Sequence, residues 1–347
     1  MLGDQPMGWN GEDQTNAQAA GAPATVPLGI AGPFDRTDWF DRLAAMHFKG
    51  LARADAFGQS GSTAAWLPLV EPRPGMRASL ANWYSFVHRP QFSGARDSAA
   101  QTRALTDLCA GLRRKAARLT LFPVPESDGS LTMLRAALSA AGWWVSARPA
   151  GDNHWLDLDG MDHDSWWAAR PGELRSTVAR KAKKGLVEIA ITDRFDAAIW
   201  ADYQRIYAAS WKPEEGNAAL LRAFAEAEGA AGRLRLGLAR IGGAPVAAQL
   251  WTVENFGAYI HKLAHVEDSV RASPGTLLTA ALFHHVISED RVRRVDFGTG
   301  DDRYKRDWMN RHSKLWRIEA FNPSRPAAWG PAIKSTLADW RLHGKNG

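Results

Sequence analysis

The sequence predicts an α/β fold with mixed sheets, built as two halves of similar size. Three observations carry this. Helix and strand periods alternate from residue 98 onward, three strands joined by Gly-containing turns fill 234–264, and 347 residues is about two domain lengths.

The leader, residues 1–33, is rich in Gly, Ala, Gln, Asn and Pro without a hydrophobic period and is expected to be disordered. Thr37 is placed to cap a short helix to His47, and 64–70 and 83–87 read as strands. Ser98 to Ala110 spaces Leu105, Leu108 and Leu112 as a helix does. Arg118 to Phe122 is a strand stopped by Pro123 and Pro125, and a helix over 131–141 ends at Gly142. Trp143 to Ala147 and His154 to Leu158 read as two strands.

The second half repeats the alternation. Helix 173–184, strand 187–192, helix 196–211 and helix 217–228 lead into the meander 234–241, 245–253 and 258–264. Helix 274–287, strand 292–297, a short helix at 304–309, strand 314–320 and a tail helix at 331–342 follow.

Composition narrows the function. A single cysteine, Cys109, excludes an internal disulfide and points to a reducing compartment. Residues 1–33 hold Asp4, Glu12 and Asp13 and no basic residue, which raises the +6 of the whole chain to +9 for the rest. That surplus favours an anionic partner. The N-terminus lacks the basic and apolar regions of a secretory signal and no segment is an apolar 20-mer. The expectation is a cytoplasmic protein, with any contact at the inner membrane peripheral. The 16 tryptophans are core filler or the lining of an apolar cleft.

Zinc spacing, a G-x-S-x-G elbow, a Walker loop and a dinucleotide fingerprint are all missing from the sequence, so no metal is expected. His284 and His285 are adjacent rather than four apart. Three other stretches carry chemistry. S-P-G-T-L-L at 273–278 places Pro274 and Gly275 where a helix opens, leaving backbone N–H groups and a positive dipole end for a phosphate. D-F-G-T-G-D-D-R-Y-K-R-D-W at 296–308 sets Asp301 and Lys305 beyond a glycine turn, one to take an ammonium proton and the other to meet a phosphate or oxyanion; a helix cap is the plain alternative. Strand 258–265 sets His261 among apolar neighbours, as a general base or a hydrogen-bonded core residue.

With the run R-L-R-L-G-L-A-R-I-G-G-A-P-V-A-A-Q-L from Arg233, these segments resemble the GNAT acyltransferase superfamily, in the branch of CelD-related and FemAB-like proteins. The resemblance covers about 165–320 and implies a tandem GNAT-like double domain. The expected divisions are 1–33 leader, 34–160 N-terminal GNAT-like domain, 161–325 C-terminal acyltransferase domain and 326–347 tail. It further implies an N-acyltransferase that carries an acyl group from acyl-CoA or an acyl-carrier-protein thioester to an amine, an amphiphilic lipid amine or an envelope precursor among them. His261, Asp301 and Lys305 would be catalytic. Arg271, Ser273, Pro274, Gly275 and Thr276 would hold the donor, and Trp211, Lys262 and Tyr304 the substrate. The usual phosphate loop has a glycine where Pro274 stands, which keeps both CoA and carrier-protein donors in view. A FemAB-like aminoacyl-tRNA transferase and a non-catalytic scaffold in polysaccharide biosynthesis are the alternatives.

The basic run Arg175, Arg180, Lys181, Lys183 and Lys184 reads as a solvated face, a phosphate clamp or a surface for anionic lipid or an acidic carrier protein. No motif for sequence-specific nucleic-acid reading is present.

Overall fold

The computed structural model describes residues 26–27, 30–94 and 97–333. The first half runs β1 (Val26–Pro27), α1 (Thr37–Met46), β2 (Ala52–Arg53), β3 (Ala56–Ser60), β4 (Thr63–Leu67), β5 (Leu69–Arg73), β6 (Met76–Ser79), β7 (Gln91–Ser93), α2 (Ser98–Lys115), β8 (Arg118–Pro125), α3 (Ser130–Ala140) and β9 (Trp144–Asp157). The second half runs α4 (His163–Ala168), α5 (Gly172–Ala182), β10 (Glu188–Thr192), α6 (Ala197–Ala208), α7 (Ala218–Ala230), β11 (Leu234–Ile241), β12 (Ala244–Glu254), β13 (Gly257–His265), α8 (Pro274–Ser288), β14 (Arg294–Thr299), α9 (Arg303–Trp308) and β15 (Arg311–Phe321).

Among the described residues one eleven-stranded mixed sheet spans both halves, in the order β10-β11-β12-β13-β14-β9-β15-β8-β6-β5-β2. A smaller sheet, β1-β7-β4-β3, lies beside it. Each half holds a parallel pair joined through a helix, β6-α2-β8 in the first and β13-α8-β14 in the second. The last strand of each half is exchanged: β9 pairs with β14 of the second half, and β15 pairs with β8 of the first. β9 and β15 also pair with each other, from Trp155↔Arg311 to Trp144↔Phe321.

The expected boundary at 160/161 is therefore not a separation of two bodies. The N-terminal segment crosses it as well. Phe34, Trp39, Phe40 and Leu43 join Trp200, Tyr203, Ile206, Leu220 and Phe224 in one buried cluster. Burying such side chains removes roughly 1.5–3 kcal/mol each of apolar exposure, so this contact fastens the halves firmly. Arg36 adds ion pairs to the buried Glu228 and to Glu254 at 2.8 Å.

Several expectations on the first half change. Pro33 and Phe34 are buried, and Ile30 O accepts from Arg89, so the chain is folded before residue 34. Most of the leader (1–25, 28–29) and residues 334–342 of the tail helix lie outside the described residues. Thr37 begins α1 without capping it. Residues 83–87 are not a strand, because Phe86 and Tyr84 are needed as plugs against the second half. The two strands read at 143–147 and 154–158 are one continuous β9, its middle paired with β15 across a bulge at Ala150, between Pro149 and Gly151. The meander and α8 form where the pattern placed them. α8 buries Leu277, Leu278, Leu282, Phe283, Val286 and Ile287, which is a helix apolar nearly all round and enclosed by β11, β12 and α4. No helix among the described residues is long and apolar enough to cross a membrane.

Candidate active site

β13 and β14 pair in parallel only over Gly257↔Arg294, Ala258↔Val295 and Tyr259↔Asp296, and then part. Two local features open them. On β13 the register against β12 slips between Ile260 and Lys262, leaving His261 as the extra residue of a bulge, which bends and twists the strand. On β14 Gly298 turns with φ +67°, where a Cβ would stand 2.7 Å from the Phe86 ring; only glycine lets Phe86 wedge in from the first half.

The gap is a cleft of about 140 Å³. His261, Lys262, Tyr304 and Lys305 line it, together with Lys212, Asp302 and the rings of Trp39, Trp83, Tyr84, Phe86 and Phe224. Four of the expected site residues thus converge.

Their environments differ from those expected. His261 lies between Phe34, Phe86 and Phe224, ring centres 5.0–5.7 Å away, and its Nε2 is 2.7 Å from Thr252 Oγ1. Burial pushes its pKa down to about 3, so it is a neutral, oriented wall of the cleft and a poor holder of a proton. Lys305 is buried and its Nζ donates to the carbonyls of Thr299 (2.6 Å), Gly300 (3.2 Å) and Gly298 (3.4 Å). Its three donors are spent on shaping the glycine turn, so the expected phosphate or oxyanion contact is not made by Lys305 as placed. Burial lowers its pKa against the pull of Asp302, Asp296 and Asp301.

Asp301 is turned away from the cleft. It accepts from His154 Nε2 (2.8 Å) and Arg306 (2.7 Å), and these partners, Arg306 first, hold its carboxyl down at about 2. Its neighbour Asp302 faces the cleft instead. Lys212 lies at the cleft wall, where burial and the charge of Lys262 lower its pKa. Lys262 pairs with Glu215 at 3.0 Å and sits 4.7 Å from the Tyr84 ring centre, and Tyr84 donates to the same carboxylate.

The expected donor turn is not part of the cleft lining and connects to it through His265 and Trp211, whose ring Lys212 covers. Ser273 is left-handed (φ +54°) and its side chain makes no cap, so the first N–H groups of α8 are not closed by a side chain. Gly275 stands against His265, where a Cβ would lie 3.4 Å from its Nδ1, and the Trp211 ring lies tilted against that imidazole, centres 4.4 Å apart. The basic helix α5 reaches the same turn: Lys181 Nζ donates to Arg271 O. Arg175, Arg180, Lys183 and Lys184 remain exposed beside it.

Residues 172–306 match the family model described as Acetyltransferase (GNAT) domain. This segment is a GNAT domain. It places the protein in the acyltransferase class of enzymes and contains the splayed strands, the α8 turn and Lys305. No curated protein matches the chain in sequence. Among solved structures, FemX is similar at TM-score 0.58 and 13% identity, over 84% of this chain and 93% of that one. L-PGS from Bacillus licheniformis is similar at TM-score 0.51 and 11% identity, over 91% and 99%. The C-terminal domain (DUF2156) of an Agrobacterium fabrum protein assigned as a lysylphosphatidylglycerol synthetase is similar at TM-score 0.54 and 13% identity, over 86% and 96%. At these identities the likeness is one of fold, and it extends over both halves of the chain. Of the tryptophans in and just before this segment, Trp166 stacks on Phe283 and Trp200 is buried against Tyr203, whereas Trp211 is half exposed beside Lys212.

Proposed function

We propose that the protein transfers an acyl group from a phosphate-bearing activated donor to an amine, in the cleft between β13 and β14. The observation that carries this is the cleft itself, between strands that part before a helix start whose N–H groups no side chain caps and which His265 and Trp211 connect to Lys212 of the cleft wall. The first turn of α8, with Arg271 and the α5 basic face, seats the donor phosphates, and the acyl carbonyl enters between the strands. Asp302 takes the ammonium proton, and Lys212 stabilises the oxyanion that forms as the amine attacks. Lys305 holds the glycine turn and His261 the apolar wall. Exposed Trp83 in the cleft lining and exposed Trp211 against Lys212 support an amphiphilic acceptor presented at a membrane surface.

The donor is an acyl thioester on CoA or a carrier protein. A second reading, an aminoacyl ester donor, is favoured by the whole-chain likeness to FemX and to L-PGS and by the exposed basic face of α5. Purified protein incubated with acyl-CoA or acyl-carrier donors and a panel of amines should release thiol in an amine-dependent way. Release from no thioester, together with amine-dependent loss of the aminoacyl group from charged tRNA, would move the reading to the second donor. Silence with both would remove the enzyme from this cleft.

A further inference from the structure

On the opposite side of the glycine turn from the cleft, three strands' worth of chemistry meets. His154 on β9 and His312 on β15 are direct cross-strand partners, their rings 4.5 Å apart at 36°. Asp301, at the end of the turn after β14, bonds His154 Nε2 at 2.8 Å, and Asp152, two residues along β9, bonds His312 Nε2 at 2.6 Å. One ligand atom from each of His154, His312 and Asp301 lies within 4.8 Å of the others.

We infer that His154, His312 and Asp301 bind a divalent transition-metal ion of the zinc type, with Asp152 at the edge of the set. Two imidazoles with a single carboxylate suit zinc-like ions and not Mg²⁺ or Ca²⁺, which require mostly oxygen donors. A tetrahedral zinc with bonds of about 2.1 Å spaces its donors about 3.4 Å apart, so a shift of roughly 1 Å in the half-exposed His312 ring closes the set. The groups that compete are Arg306 on Asp301 and Lys314 on Asp152. Both are long side chains, 62% and 47% exposed, that swing into water once the metal takes their carboxylates. The ion ties β9, β15 and the turn 298–302 together, and that turn carries Asp302 and is held by Lys305. Its role is to fix the cleft floor from behind without touching the reacting atoms.

This inference stands apart from the transferase reading, since its test reads metal binding alone. Metal-free full-length protein is titrated with Zn²⁺ by calorimetry and with Co²⁺ by visible absorption. The expected result is saturation at one equivalent, d–d bands of a low-coordinate Co²⁺ site, and a melting temperature raised by Zn²⁺. His312→Ala and Asp301→Asn each weaken binding tenfold or more and abolish the bands, in keeping with the 10–100-fold cost of disturbing a metal site. His284→Ala, in the separate His163–His284 ring pair, leaves both unchanged. Absence of heat and bands, or binding undiminished in both His312→Ala and Asp301→Asn, overturns the inference. Both substituted side chains are about 40% exposed, so the variants fold.

Discussion

The two parallel junctions of the sheet, β6-α2-β8 and β13-α8-β14, share a layout and differ in what fills them. In the first half α2 opens with Asp97, whose carboxylate accepts from Ala99 N and Ala100 N, so its positive end is already occupied by an anion. In the second half α8 opens with Ser273 and Pro274 and no side-chain cap. The space beside β6 and β8 is taken by His88. Its backbone N donates to Pro123 O at 2.6 Å, its Nε2 to Pro68 O at 2.7 Å, and Ser79 Oγ bonds its Nδ1 at 3.0 Å. The space between β13 and β14 is left as the cleft. One junction is closed for stability and the other held open for a ligand, with the closed half supplying Phe86 and Tyr84 as the walls of the open one.

The contrast can be broken at several points. Lys212→Met is expected to have the largest effect, lowering kcat by about 10²–10³ with stability changed by less than about 0.5 kcal/mol, as loss of one oxyanion partner does. Matched kinetics and thermal melts read both. His88→Ala is the opposite case, costing about 3 kcal/mol because it leaves a void and strips partners from Ser79 and Pro68, with kcat unchanged in the molecules that remain folded. A fall in kcat without a fall in stability there would erase the distinction between the junctions.

Copying the plug is a finer test. Ser273→Asp places a carboxylate at the α8 start and should raise the donor KM about tenfold, the worth of roughly 1.4 kcal/mol in lost phosphate binding. Asp97→Ala costs about 1 kcal/mol of stability by denaturant titration and leaves KM alone.

A pH slope is shared by both junctions. Burial pushes the pKa of His88 down to about 4 and of His261 to about 3. Unfolded histidine takes its proton near 6.5, so between about pH 6.5 and those values the unfolded chain binds more protons than the folded one. Stability is full above 6.5 and falls on acidification, by about 1.4 kcal/mol per pH unit for each imidazole. His261→Gln should remove one such contribution from the acid limb of a stability-against-pH curve; an unaltered slope would mean that His261 takes up its proton in the folded protein.

Much of the second half was legible because its signals are local. Gly242 and Gly243 mark one meander turn, Pro274 and Gly275 the start of α8, and the alternation around His261 a strand. Of the cleft residues, His261 and Lys262 sit on that strand, and Tyr304 and Lys305 on the short helix that follows the glycine turn at 298–300. What escaped depends on partners far along the chain. β9 stays one strand through Pro149 and Gly151 because β15, some 160 residues later, pairs along its length. Lys212 comes from an irregular segment with no periodicity to flag it, and Phe86 from 83–87, which reads as a strand but is irregular. Asp301 and Asp302 are indistinguishable in sequence, yet adjacent residues of a turn point to opposite sides, one to the cleft and one to His154. The histidine pair is likewise invisible to spacing rules, since positions 154 and 312 meet only through strand exchange.

The central claim is that the open junction, and not the closed one, receives the donor. Amide hydrogen exchange resolves it directly, with an unreactive acyl-CoA thioether or a non-hydrolysable aminoacyl-RNA as the probe. The result expected is protection at Gly275 and Thr276 and along 260–265, with Ala99 and Ala100 unchanged. Protection at Ala99 and Ala100, or no protection at the α8 start with either probe, would contradict it.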